Sequence, residues 1–203
     1  MEKFLQILDK ILPLVGVIIG AAITPWVSSI IEKQRHKRLI KANLIKSLHI
    51  FHSYWKMDFS LANTIPFKMR ESNDLSTNIG QTDAPEEKER LQRKFDVFER
   101  DLFRKSETHL RITERKMEVE ADIESLLMQT LQYFGVTKYN KVEIELRFYL
   151  EESHEQKQLY KYLHMEIESF PNLLEQVLAQ IKEKHAELEK KQKRIVSKVQ
   201  DTL

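Results

Sequence analysis

The sequence predicts an all-α protein in which one N-terminal transmembrane helix carries a cytoplasmic bundle of long helices. Three observations predict it. Only four glycines and five prolines punctuate 203 residues, too few turn residues for a many-stranded sheet. Charged residues make up 32% of the chain against 41% hydrophobic, a mixture that suits long amphipathic helices. Finally, Ile11 to Ile31 is an uninterrupted 21-residue run without a charge. The length suits one domain with an appendage, divided as a membrane helix over 1–33 and a helical domain over 34–203. With 33 basic and 31 acidic residues, no global field draws the protein to nucleic acid, so any basic function is local. The absence of cysteine excludes disulfides, thiolate metal sites and thiol nucleophiles.

The first helix enters the bilayer over roughly residues 4–31, since about 20 residues at 1.5 Å each span the hydrocarbon. The basic cluster follows the apolar run instead of preceding it, which argues for a retained anchor and against a cleaved signal peptide. Lys33, Arg35, Lys37, Arg38, Lys41 and Lys46 come without an intervening acid. The positive-inside rule therefore puts the C-terminal domain in the cytoplasm and the N-terminus outside. The same basic run suits anionic lipid, and RNA less well. At 100° per residue, Gln6, Asp9, Gly16, Gly20, Thr24 and Ser28 share one stripe, with Leu12, Ile19 and Trp26 opposite. Small residues at intervals of four are either a close-packing seam for another helix or the water-facing side of a pore built from several copies. Val17 and Val27 intrude on the stripe as candidate gates. Both alternatives require oligomers.

Beyond the membrane the helix is expected to continue to about Thr64 on the spacing of Leu44, Leu48, Phe51, Trp55 and Phe59, and to end at Pro66. Residues 67–83 are polar and without apparent apolar period, which predicts a flexible loop. Asp83 is the expected N-cap of a second helix with Pro85 in its first turn, running to Phe134 with Gly135 as terminator. Its apolar seam, Leu91, Phe95, Phe98, Leu102, Ile112, Val119, Ile123 and Leu126, is broken by Lys105, His109 and Lys116, where the helix bends, projects or houses a polar site. A third helix is expected near 140–170, then Pro171. A fourth carries the heptad Leu174, Leu178, Ile181, His185, Leu188, Gln192, Ile195, Val199, a coiled-coil seam with two polar members.

Neither metal nor cofactor is expected. His49-x-x-His52 lacks a third ligand at suitable spacing and reads as core; His154 and His164 read as a solvated face. No phosphate loop or hydrolase motif is present.

Arg104 and His109 have the R-x-x-x-x-H spacing of HEPN ribonucleases, in which arginine neutralises an oxyanion and histidine moves a proton. Lys105 stands where that family has Asn, Asp or His, so the motif is degenerate and catalysis is not expected. A small helical chain with an N-terminal membrane helix and this motif resembles the membrane accessory proteins encoded beside the RNA-guided RNase of type VI-B CRISPR systems. That resemblance implies a homo-oligomeric ring, an octamer, in the bacterial inner membrane. Its implied role is a pore that strengthens antiviral defence by depolarising the membrane when the RNase, its functional partner, detects a transcript. The alternatives are a membrane-tethered HEPN ribonuclease and a membrane-anchored coiled-coil scaffold.

Overall fold

A computed structural model gives the architecture. It describes the backbone of residues 2–169 and 174–203, and the side chains of 17, 20, 21, 23–62, 64–154, 179 and 182–203. The chain is all-helical: α1 Glu2–Gln81, α2 Pro85–Phe134, α3 Val136–Ser169 and α4 Leu174–Thr202. Among the described residues no helix is long and apolar enough to cross a membrane. The expected span depends heavily on residues 11–16, 18, 19 and 22, whose side chains lie outside the described residues. The all-α expectation therefore holds, and a transmembrane helix does not follow from the described part of the chain.

The flexible loop over 67–83 is corrected. α1 runs through Pro66 to Gln81, 80 residues in all, or about 120 Å at the α-helical rise. Pro66 donates no hydrogen bond to the preceding turn, yet the helix continues because its far half is packed along α2. The apolar period is present there in disguise. Ile65, Lys68, Ser72, Leu75 and Ile79 step by three and four, and all five are half-buried or buried. Lys68 and Ser72 occupy two seam positions and find partners on α2: Lys68 Nζ lies 3.5 Å from Asp101 Oδ2 and 4.5 Å from the Phe98 ring centroid, and Ser72 donates to Glu99.

Only Thr82, Asp83 and Ala84 separate α1 from α2. Ala84, not Asp83, is the N-cap, extended at φ −72° and ψ 117° with no side-chain cap. The start is fixed instead by Pro85 and by Glu86 and Glu87 in the first turn, favourable at the positive end of the helix dipole. α1 and α2 form an antiparallel hairpin in constant register, from His36 beside Tyr133 through Asp58 beside Thr113 to Ser72 beside Glu99. Gly135 ends α2 at φ 84°, in the left-handed region that favours glycine. Its N–H is bonded to Leu131 O at 3.1 Å, and α3 begins at the next residue, four earlier than the sequence suggests.

At the base of the hairpin α3 and α4 complete a four-helix bundle. Leu44, Leu48, Phe51 and Trp55 of α1 meet Ile123 and Leu127 of α2, Val142, Leu146, Tyr149 and Leu150 of α3, and Leu188, Ile195, Val196 and Val199 of α4. Among the described residues α2 and α4 do not touch, which makes them diagonal neighbours. The α4 heptad holds from His185 onward: Leu188, Gln192, Ile195 and Val199 are buried. The side chains of Leu174, Leu178 and Ile181 lie outside the described ones, and Pro171 lies outside the described residues altogether.

Candidate functional site

From Val17 to His36 every described side chain is exposed. The described side chains of this stretch form an exposed shaft that first meets α2 at His36, beside Tyr133. Trp26 and Ile31 are 67% and 62% exposed, and Val17 is 70%. A Cβ added at Gly20 would meet nothing within 4 Å, so no other part of the described chain uses the small face. Thr24 Oγ1 donates to Gly20 O at 2.6 Å, the local bond by which a hydroxyl satisfies itself on a helix. Gly20, Thr24, Ser28, Val17 and Val27 are thus all surface residues of one copy; Gln6, Asp9 and Gly16, like Leu12 and Ile19, fall outside the described side chains.

Below the shaft lies the basic collar. Lys33, Arg35 and Arg38 are exposed. Lys37 Nζ sits 5.4 Å from the Phe134 ring centroid, and Lys41 donates to Gln200 O, tying the collar to the end of α4.

Further along α1, at an apolar-seam position, Asp58 is buried against α2. Lys116 Nζ donates to its Oδ2 at 2.7 Å, and Thr113 Oγ1 to its Oδ1 at 2.9 Å. His109 Nε2 lies 2.8 Å from Oδ1, near enough for an ion pair when protonated, yet it makes no directed hydrogen bond. Two of the three polar interruptions of the α2 seam, His109 and Lys116, therefore meet at one buried carboxylate, whereas Lys105 pairs with Asp101 on its own helix at 3.0 Å. Arg104 does not join them: it is exposed, and five residues along a helix turn it about 140° from His109. Within one copy the R-x-x-x-x-H pair is not brought to a common site.

Sequence reasoning missed Asp58. The signal was available, because Asp58 follows Leu44, Leu48, Phe51 and Trp55 at the next seam step, and a carboxylate in that position calls for a cation on the facing helix.

A second polar network lies inside the bundle. His52 stacks on Trp55 with ring centroids 5.7 Å apart and shares a 2.9 Å hydrogen bond through Nδ1 with Tyr149 Oη; its Nε2 has no partner. Burial, with Lys56 nearby, lowers the His52 pKa to about 4, and burial pushes Tyr149 well up. Both are neutral at physiological pH. His185, lowered by burial and by Lys56, packs on Trp55 and Phe59. His49 is exposed and bonds Gln192 at 3.0 Å, which explains why the seam keeps a glutamine. His154 is exposed and lies 2.8 Å from Glu120; His164 is outside the described residues. Among the described residues no three His, Cys, Asp or Glu side chains group to hold a metal.

No family model, curated protein or solved structure matches this chain. Its function is therefore argued from the residues. Besides the shaft, the surface carries an apolar line on α2, where Phe103, Leu110, Met117 and Met128 are exposed at spacings that keep them on one helical face. A groove of about 270 Å³ between α3 and α4 is lined by Ile144, Phe148, Lys191 and Arg194 among others.

Proposed function

We propose that this chain is a membrane-anchored, oligomeric pore or channel-like effector that enhances CRISPR antiviral defence by depolarising the bacterial inner membrane. The observation that carries the proposal is the bare shaft of α1. A helix that exposes Trp26, Ile23, Val27, Ile30 and Ile31 with no protein against it leaves apolar surface in water at roughly 25 cal/mol per Å². Lipid around the outer face, and other copies around the Gly20, Thr24 and Ser28 face, remove that cost. The basic collar supports the same placement, because Lys33, Arg35 and Arg38 sit where anionic headgroups of the cytoplasmic leaflet begin. Retention of the bundle on the cytoplasmic side, with the N-terminus outside, follows from that collar.

A single span gives ions no path, so the proposal requires a ring, with Gln6, Asp9, Gly16, Gly20, Thr24 and Ser28 toward the axis and Val17 and Val27 as an apolar constriction that gates by dewetting. The functional partner is the RNA-guided RNase of a type VI-B system, on the resemblance stated above. A ribonuclease role is disfavoured by the exposure of Arg104 and the engagement of His109 with Asp58. The test is membrane potential in cells that express the chain with the active RNase and its target transcript. Dissipation is expected, and bulky apolar residues at Thr24 or Ser28 should reduce it more than similar changes at Leu12 or Ile19. Equal sensitivity on both faces rejects the orientation. An unchanged potential rejects the pore and leaves the anchored scaffold.

A further inference from the structure

We propose that the corner between α2 and α3, residues 134–141, makes a second contact with the bilayer, binding its anionic headgroups together with Lys33 and Lys37 of α1. This rests on the membrane anchoring of α1 proposed above and adds a contact remote from it in sequence. The added contact holds the bundle end-on to the membrane.

The corner is at the right end of the molecule. α2 runs back along α1 toward the shaft, Gly135 turns the chain at φ 84°, and α3 leaves in the other direction. Tyr133 lies beside His36 with ring centroids 5.6 Å apart, so the corner is level with the foot of the shaft. Two cations from different helices meet there on one ring: Lys37 Nζ is 5.4 Å and Lys138 Nζ 5.7 Å from the Phe134 centroid. An aromatic face attracts ammonium groups but carries no net charge, so both positive charges persist. Lys33 is one turn from Lys37 on the same side of α1, and Val136 at the tip of the corner is 62% exposed.

No carboxylate of the chain answers these charges. Among the described residues Lys33, Arg35, Lys37, Arg38, Lys138 and Lys141 make no ion pair. Elsewhere the bundle pairs its bases, as Lys191 with Glu152 and Arg194 with Glu145. Glu32 is the single acid between Asp9 and Asp58, and no acid lies between Glu124 and Glu143. Glu143 is already held by Arg147 at 2.8 Å, and Asp201 at the end of α4 accepts from Ser197 at 3.4 Å. The membrane-proximal end of the bundle therefore presents positive charge that only an outside anion can meet.

Distance selects lipid headgroups as that anion. With Ile31 at the edge of the hydrocarbon, Lys37 stands six residues on, about 9 Å along the helix. The headgroup layer is roughly 5–8 Å thick on each side, so the corner lies at its outer edge and lysine side chains reach back into it. RNA would meet the same charges, but the span holds headgroups permanently at this height, an effective concentration that no soluble strand matches.

The test uses the full chain, which has no cysteine, reconstituted in vesicles of phosphatidylglycerol and phosphatidylcholine with a spin-labelled headgroup lipid as quencher. An environment-sensitive dye on Val136→Cys should be quenched at least threefold more than the same dye on Gly80→Cys at the far end of the hairpin. Adding Lys138→Glu and Lys141→Glu should shift the docked equilibrium at least tenfold toward the unquenched state with helical content retained, and pure phosphatidylcholine vesicles should do the same to the unaltered corner. Equal quenching at Val136 and Gly80, or quenching indifferent to both the glutamates and the lipid charge, would overturn the proposal. Loss of the Val136 signal on adding a homopolymeric RNA would overturn it in favour of nucleic acid. Flotation that resists carbonate extraction reads the α1 anchor separately: a floating chain with Val136 unquenched keeps the anchor and rejects this contact, and a carbonate-released chain with Val136 quenched does the reverse.

Discussion

Lys116 and Asp58 form an ion pair at 2.7 Å with each side chain only 3% exposed, so α1 and α2 are pinned to each other through a charge that neither helix could bury alone. Desolvation makes such a pair roughly neutral to stability as a whole, while loss of one partner is expensive. Lys116→Met should cost up to about 3–5 kcal/mol, because it removes the buried cation at Asp58 Oδ2 and leaves Thr113 and His109 at Oδ1. The Asp58→Leu/Lys116→Met double variant should recover most of that loss. Urea unfolding of the four combinations measures it; equal costs for single and double variants would show that the pair is not the pinning contact.

Protonation of His52 should weaken the fold as pH falls. Its folded-state pKa of about 4 lies below the ordinary value of 6.5, so between those values the unfolded chain binds a proton that the folded chain refuses. Stability from His52 is complete above pH 6.5 and is lost as pH drops toward 4, at up to about 1.4 kcal/mol per pH unit. His185, lowered in the same way, acts in the same direction. Thermal melts of wild type and His52→Leu between pH 7 and 4 should diverge at high pH less than the wild-type curve falls; parallel curves would assign the slope to other groups.

Pro66→Ala should stabilise the protein by about 1–3 kcal/mol, because alanine restores a hydrogen bond to the preceding turn and removes the clash that an interior proline imposes. Part of the gain is offset by the freer unfolded chain. A lower melting temperature would mean that the chain leaves the helix at residue 66 after all.

Arg104→Ala should change stability by less than about 0.5 kcal/mol, as expected for an exposed side chain, whereas His109→Ala removes a group held beside Asp58. Neither should alter RNA turnover by the purified chain. Cleavage that disappears in His109→Ala would restore the ribonuclease alternative.

The bundle core was legible because its seam residues are apolar: Leu44, Leu48, Phe51 and Trp55, or Leu188, Ile195 and Val199, announce themselves by period alone. The hairpin was not, because Lys68, Ser72, Lys105 and His109 sit on seams that hydrophobicity cannot trace. A seam of salt links and hydrogen bonds is visible only when both strands are laid side by side, and the pairing of α1 with α2 is not local information. Pro66 misled for the same reason, since tertiary packing overrides a helix breaker. At the candidate site, the basic cluster from Lys33 to Lys46 could be read from the sequence, and the burial of Asp58 could not.

The hairpin register has a consequence for the order in which the chain can organise itself. Closing a loop costs entropy that grows with its length. Ser72 and Glu99 are 27 residues apart, and Asp58 and Lys116 are 58 apart. The three-residue turn at Thr82–Ala84 is therefore the cheapest place to begin, and contacts zip outward from it toward the shaft, the ion pair locking the register halfway. During synthesis this arm is complete once α2 has emerged, before α3 and α4 exist to cover Phe51 and Trp55. The nascent chain thus passes through a stage with a formed arm and an open apolar base, and pulsed hydrogen exchange would find α1 protected first near Ser72 and last near Leu44.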